Sequence, residues 1–444
     1  MKKVIIVGGG LVGALEAIYM AQRGYDVKVY EKRPDIRKAN INAGKSINLV
    51  ISKRGWASLE KVGLRQEIEP LTVPVYGRMT HDVKGNQNFI PYSSKKEPIY
   101  SVSRGGLNAK LLEIAEQYPN VELFFNEKCV NVDLNAPSVT FYNYETQKTQ
   151  TVQGDLVIGA DGAYSEVRNR LMRTDRYNYS QQYIEHGYKE LHIPANEDGS
   201  PKIDVNALHI WPRKNFMLMA LANLDNSFTC TLFFPFEGNP SFESIQTEED
   251  LMKFFQTTFP DAVPLMPTLK EDYFSNPASS LVIIRCYPWH YQNKVVLIGD
   301  AAHAIVPFYG EGMNCGFEDC LEFDRILTET NDNLAKALPL YTQTRKPNGD
   351  AIADLSLRNF VEMRDLVADE KWLLRKKIEE HMYQKHPDKW IPLYSQVKFT
   401  TIPYAQALKE GQKHDAIMEK ILALPDIQNK WNSEEIEQQI LSML

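Results

Sequence analysis

The first thirty-one residues constrain this chain more than any other stretch. Val4–Val7 is a short apolar run that leads into Gly8-Gly9-Gly10-Leu11-Val12-Gly13, a G-x-G-x-x-G arrangement. Helical spacing follows over Leu11–Arg23, Gly24 and Tyr25 break it, and Val27–Tyr30 reads as a second strand, so the chain opens as a βαβ unit. Each glycine has a separate task in such a turn. Gly8 permits the tight bend, Gly10 has no side chain to block a pyrophosphate, and Gly13 lets the helix approach the sheet. The helix start then presents N–H groups and a positive dipole end to phosphates. Glu31 closes the second strand, where its carboxylate can accept hydrogen bonds from ribose hydroxyls. A glycine turn alone can be purely structural. In this strand, loop, helix, strand, glutamate frame it predicts a dinucleotide site. The motif does not separate FAD from NAD(P), and Lys32 and Arg33 beside Glu31 would suit a 2′-phosphate.

Composition narrows the partners. A formal net charge of −7 argues against a nucleic-acid backbone. Cys129, Cys230, Cys286, Cys315 and Cys320 form no CxxC pair and are odd in number, which predicts free, mostly buried thiols in a reducing compartment, the cytoplasm. The histidines show neither HxxxH nor HExxH spacing, so no metal site is expected. Met1-Lys2-Lys3 runs directly into a strand without a leader-like apolar segment, and no stretch has the length of a transmembrane helix.

Further along, a helix is expected near Gly106–Gln117 and strands near Val121–Phe125 and Leu156–Ile158. Between about 175 and 290 the pattern changes to alternating or aromatic-rich strands such as Phe216–Leu221 and Phe228–Phe234. A strand–helix unit returns at Val295–Leu327. Beyond about 350 the chain reads as charged helices, with Leu366–His381 the clearest amphipathic stretch and Asn432 with Glu435 opening a last short helix. The expected division is a nucleotide domain in three parts (1–75, 101–175, 291–350), a substrate domain in two (76–100, 176–290) and a C-terminal helical region (351–444) covering the active site.

Two later motifs select among nucleotides. Gly159-Ala160-Asp161-Gly162-Ala163-Tyr164-Ser165-Glu166-Val167-Arg168 follows a strand. Leu297-Ile298-Gly299-Asp300-Ala301-Ala302-His303 follows another and leads to Pro307 and Gly310-Glu311-Gly312-Met313-Asn314. With the glycine loop, these resemble the DG and GD motifs of the class A flavin-dependent aromatic hydroxylases, over residues 1 to about 330. The resemblance implies an α/β, p-hydroxybenzoate hydroxylase-like fold: a Rossmann-like FAD-binding domain interrupted by a mixed β-sheet substrate domain. It implies tight, non-covalent FAD held by Gly8, Gly10, Leu11, Val12, Gly13, Tyr30, Glu31, Lys32, Arg33, Val50, Arg104, Cys129, Asp161, Asp300, Gly312, Met313 and Asn314. Asp300 at a strand end suits the ribityl chain. The helix opening at Gly310–Asn314 can stabilise negative charge on the flavin. Arg104 suits the phosphates or ribityl, Asp161 supports its loop, and His303 serves the fold behind the site.

Gly44-Lys45-Ser46-Ile47-Asn48-Leu49, Arg78-Met79-Thr80-His81, Ile99–Arg104, Gly299–Asn314, Phe360-Val361-Glu362-Met363-Arg364 and Ile391-Pro392-Leu393-Tyr394 are similar to the kynurenine 3-monooxygenase branch, almost end to end. That resemblance implies hydroxylation of L-kynurenine with NADPH and O2, through a C4a-hydroperoxyflavin. Arg78 and Tyr92 would hold the substrate carboxylate, and Asn359 and Tyr394 would complete the pocket. A dedicated general acid or base is not expected. Two departures stand out. The branch reads Pro-Phe-Phe-Gly-Gln-Gly where this chain has Pro307-Phe308-Tyr309-Gly310-Glu311-Gly312, near the expected flavin ring. Eukaryotic members carry a C-terminal membrane anchor, whereas this sequence ends on the short Ile440–Leu444 segment, as a soluble bacterial-type member would. The rival readings are a class A hydroxylase of another phenol or quinolone, and a non-catalytic prenyl-protein escort; intact DG and GD motifs oppose the escort.

Overall fold

The computed structural model describes residues 2–38, 47–93, 95–363 and 369–444. The chain divides into two compact units. The first comprises Met1–Thr72, Ser101–Ile184 and Ser280–Ser356; the second comprises Val73–Tyr100, Glu185–Ser279 and Leu357–Leu444.

The first unit is built on a sheet whose strands lie in the order His290–Tyr291, Val295–Leu297, Leu156–Gly159, Lys3–Val7, Asp26–Tyr30 and Val121–Phe124. All neighbours from Val295–Leu297 onward pair in parallel. Parallel strands are covered on both faces, so they read as continuous apolar runs, and Val4, Ile5, Ile6, Val157 and Ile158 are all buried. The helix Leu11–Gln22 matches the expected span to within a residue. The helix expected near Gly106 begins two residues earlier, at Arg104, because the Ser103 hydroxyl accepts from the Gly106 N–H at 3.2 Å and caps it. An antiparallel sheet of Glu127–Asp133, Ser138–Asn143 and Thr149–Gln153 completes this part.

In the second unit, the part of strand Asn178–Ile193 from Glu185 onward lies side by side with strands Phe228–Pro235, Met217–Ala222, Ala207–Pro212, Gly77–His81 and Gln87–Pro91. The sheet is mixed: Ala207–Pro212 pairs in parallel with Gly77–His81, and the other pairs are antiparallel. Its core is aromatic, with Trp211, Phe228, Phe234, Phe255 and Phe259 buried together. The C-terminal part is helical as expected, with Glu370–Lys385, Tyr404–Leu422 and Glu434–Met443 sharing a core around Trp390 and Met418. Two details differ from the sequence reading. The amphipathic helix begins at Glu370, capped by Asp369, and Leu366–Ala368 lie outside the described residues. The last helix is capped by Ser433, whose hydroxyl accepts from Ile436, not by Asn432.

Among the described residues, no helix is long and apolar enough to cross a membrane. All five cysteines are free and buried.

Candidate active site

The glycine loop has the geometry that its spacing requires. Gly8 sits at φ +105°, and a Cβ there would meet the Ala160 carbonyl oxygen at 2.5 Å. A Cβ on Gly13 would stand 1.9 Å from the Gly8 carbonyl oxygen, whereas one on Gly10 would meet nothing within 4 Å. Space is therefore kept at Gly10, directly before the helix that starts at Leu11 and Val12. Glu31 organises the loop: one carboxylate oxygen accepts the Gly9 N–H at 2.8 Å, and the other accepts the Arg33 N–H and Nε at 3.0 and 2.7 Å. A carboxylate has acceptor capacity beyond these bonds, so a ribose hydroxyl can share it. Asn108, which sequence reasoning missed, donates to the Gly9 carbonyl from behind at 3.3 Å.

The other expected cofactor residues fall into two groups. Lys32, Arg33, Arg104 and Asp300 are exposed. Protein crowded around Asp300 raises its carboxyl, and the nearby Arg104 cation works against that rise. Tyr30, Val50, Cys129 and Asn314 are buried. The Tyr30 ring is stacked between Phe124 and Phe141 at 4.6 and 4.0 Å, so only its backbone reaches the loop, where its carbonyl accepts the Gly8 N–H. Burial raises the Cys129 thiol. The Asn314 side chain donates to the Val50 and Gly310 carbonyls and accepts the Ser52 N–H, which pins the start of the helix Gly312–Glu329 to the strand Asn48–Ile51. Met313 is buried at that helix start, and Val12 packs where a Cβ on Gly299 or Gly316 would stand.

Asp161 accepts the N–H groups of Glu166 and Val167 through one oxygen, at 2.7 and 3.3 Å, and its other oxygen is buried without a hydrogen bond. Burial holds this carboxyl above the usual range. Buried Arg168 joins the two later motifs, donating to the Ala301 carbonyl at 2.9 Å and the Ala163 carbonyl at 2.6 Å. An open position at Gly10, an orphaned acceptor on Asp161 and the neighbouring charges of Asp300 and Arg104 fit a long, phosphate-bearing, hydroxyl-rich group such as FAD.

Arg78, Tyr92 and Tyr394, three of the expected substrate residues, meet in the second unit. Arg78 and Tyr92 are each only 9% exposed, on neighbouring parts of the Gly77–His81 and Gln87–Pro91 hairpin. The guanidinium of Arg78 lies over Tyr92 and Tyr394, and the two tyrosine rings stack at 5.2 Å. Burial raises the Tyr92 hydroxyl, and the Arg78 cation lowers it in part. Asn359 is buried and donates to the Met363 sulfur at 3.2 Å. Its neighbour Arg358 grips Asp415 through both terminal guanidinium nitrogens at 2.6 and 2.8 Å, which fixes the end of the helix Leu334–Val361 that carries Asn359 to Tyr404–Leu422. Of the quoted family segments, Gly44–Ser46 and Arg364 lie outside the described residues.

The FAD binding domain family matches residues 1–356. A kynurenine 3-monooxygenase from Flavobacterium johnsoniae is 48% identical over 442 residues, covering 100% of this chain and 98% of the relative. The chain belongs to the kynurenine 3-monooxygenase family of FAD-binding proteins. Its relatives extend well beyond bacteria. The Dictyostelium discoideum enzyme is 45% identical, covering 95% of this chain and 93% of its own, and the Sus scrofa enzyme is 42% identical, covering 92% and 86%. Solved structures share the fold at lower identity. The tetrameric form of 2-methyl-3-hydroxypyridine-5-carboxylic acid oxygenase matches with a TM-score of 0.68 at 20% identity, over 86% of this chain and 97% of that one. PqsL from P. aeruginosa in complex with 2-aminobenzoylacetate matches with a TM-score of 0.65 at 19% identity, over 82% and 99%. The family is thus a FAD-dependent α/β hydroxylase family with an interrupted nucleotide fold, as the three motifs implied.

Proposed function

We propose that this chain converts L-kynurenine to 3-hydroxy-L-kynurenine, consuming NADPH, a proton and O2 and releasing NADP+ and water. The observation that carries this reading is the Arg78–Tyr92–Tyr394 cluster, a buried cation flanked by two tyrosines, in a chain of this family. Kynurenine bears an α-carboxylate, an α-ammonium, a ketone and an aniline ring. Arg78 pairs with the carboxylate through its planar fork, and the Tyr92 hydroxyl donates beside it. Asn359 and Tyr394 serve the ammonium or ketone. Together they fix which ring carbon is presented.

FAD, when bound, supplies the electron transfer and oxygen activation. Gly8, Gly10, Gly13 and the N–H groups of Leu11 and Val12 cradle its pyrophosphate, Glu31 meets the ribose, and Asp300 meets the ribityl chain. Lys32, Arg33 and Arg104 add positive charge, and the helix start at Gly312, Met313 and Asn314 favours negative charge on the ring. Tyr30, Val50, Cys129 and Asp161 shape the walls. The aniline nitrogen already donates electrons to the ring, so no side chain has to act as a general base. The protein's chemical work is orientation and exclusion of water. The five free, buried thiols suit the cytoplasm.

The test is product identity. Purified protein supplied with FAD, NADPH, air and L-kynurenine should yield kynurenine plus one oxygen atom at the carbon ortho to the amine. Hydroxylation only of another phenol or a quinolone would replace this reading with the broader class A one.

A further inference from the structure

Behind the candidate ribityl-binding turn lies a buried ionic network that the proposed chemistry does not use. Asp319, fully buried in the helix Gly312–Glu329, accepts three bonds. Its Oδ2 accepts the Gly299 N–H at 2.9 Å and meets His303 Nε2 at 2.5 Å, and its Oδ1 accepts Arg345 Nε at 2.7 Å. Arg345 also donates to Glu318 at 2.6 Å, and Glu318 accepts Arg54 at 2.7 Å, so Glu318 ties the helix Gly312–Glu329 to the helices Leu334–Val361 and Lys53–Lys61. His303 Nδ1 faces Cys315 Sγ at 3.8 Å. Burial alone would lower the His303 imidazole, but Asp319 and Cys315 outweigh it and hold the ring well above its usual range. Burial likewise works to raise Asp319, and the His303 and Arg345 cations hold it below the usual range.

His303, Cys315 and Asp319 bring three possible metal-ligand atoms close together. The chemistry opposes a cation there. Both ring nitrogens of His303 already face partners, and a guanidinium lies against Asp319 and 3.5 Å from Cys315 Sγ.

The network has a more direct consequence for the turn. Gly299 adopts φ +59°, ψ −142°, a conformation unfavourable for other residues, and Asp300 follows it immediately. Asp319 grips this turn at both ends, at the Gly299 amide and at His303, the last residue of the short helix Asp300–His303. We infer that Asp319 and His303 are positioning residues for FAD: their ion pair holds Asp300 in the orientation in which it meets the ribityl chain. This rests on the reading of Asp300 as a ribityl ligand. A fixed buried carboxylate is needed because a lone Gly-Asp turn has several conformations to lose on binding.

The experiment is a double-mutant cycle on the full-length holoenzyme, read as the dissociation constant of FAD from the fluorescence it regains on release, in the cold and far below unfolding. D300N reports on the ribityl contact itself. D319N and H303A should each weaken FAD about tenfold, the equivalent of one buried hydrogen bond lost. H303Q, which keeps a donor toward Asp319, should recover most of the affinity. In the D300N background, H303A and D319N should add less than about twofold, because they act through Asp300. Losses that multiply with that of D300N would mean a merely structural role and would overturn the inference. So would wild-type affinity in whichever of D319N and H303A is recovered folded. If D300N itself binds FAD normally, the ribityl assignment fails and the inference fails with it, which the D300N measurement alone reveals.

Discussion

The guanidinium carbon of Arg78 lies 4.9 Å from the centre of the Tyr394 ring, although 316 positions separate them in sequence. One residue comes from a sheet strand and the other from the C-terminal helices, and both belong to the same compact unit. A cation held against two aromatic rings and kept from bulk water suits a carboxylate that also carries an aromatic group.

Replacing Arg78 tests that arrangement. Arg78→Ala should raise KM for L-kynurenine about a hundredfold, near the loss of a charge-assisted bond of about 3 kcal/mol. Arg78→Lys should recover only part of it, because an ammonium cannot form the two-pronged pair. FAD affinity should stay at the wild-type value in both, as measured by steady-state kinetics beside flavin fluorescence.

Tyr92→Phe removes one buried hydroxyl and keeps the ring stack with Tyr394. KM should rise about tenfold, with kcat changed less, since the lost bond serves binding in ground and transition states alike. An unchanged KM would remove Tyr92 from the carboxylate site.

The nucleotide site was legible in the sequence because it depends on backbone: three glycines, a strand on either side and a terminal acid leave little choice of geometry. The residues that stiffen it were not. Asn108 meets the glycine loop, and Ser52 meets Glu311 and Asn314 at the start of the helix Gly312–Glu329, each from a distant segment, and no local spacing reports such pairs. The side chains of Tyr30 and Asn314 are engaged with Phe124 and Phe141, and with Val50 and Ser52, which is equally invisible in local spacing. The Arg78, Tyr92 and Tyr394 cluster is visible in the sequence only through family resemblance, because it joins a hairpin to a helix far along the chain.

Glu31→Ala should weaken FAD about tenfold to a hundredfold. It removes the acceptor for the Gly9 N–H and the partner of Arg33 together with the expected ribose contact. Titration of the purified variant with FAD checks this, and L-kynurenine KM at saturating FAD should not change.

Acid should destabilise the second unit through a buried pair of imidazoles. His81 Nε2 meets His209 Nδ1 at 2.9 Å, and His81 Nδ1 meets Asp261 at 2.7 Å. Burial pushes His209 down to about 4, while the Asp204 backbone partly opposes that shift and His81 adds to it. The unfolded chain binds this proton first, so stability should fall as pH drops from about 6.5 to about 4, by up to about 3 kcal/mol. Asp261, held low despite burial by His81 and Trp211, loses its contribution in the same direction at lower pH. Thermal midpoints across this range should show a shallower slope for His209→Gln than for the wild type.

The most direct measurement is the rate of NADPH oxidation by the FAD-loaded protein, with and without L-kynurenine, beside the yield of hydroxylated product. The account predicts slow oxidation alone, strong stimulation by L-kynurenine, and close to one 3-hydroxykynurenine per NADPH. Absence of stimulation, or stimulation that yields only hydrogen peroxide, would contradict it.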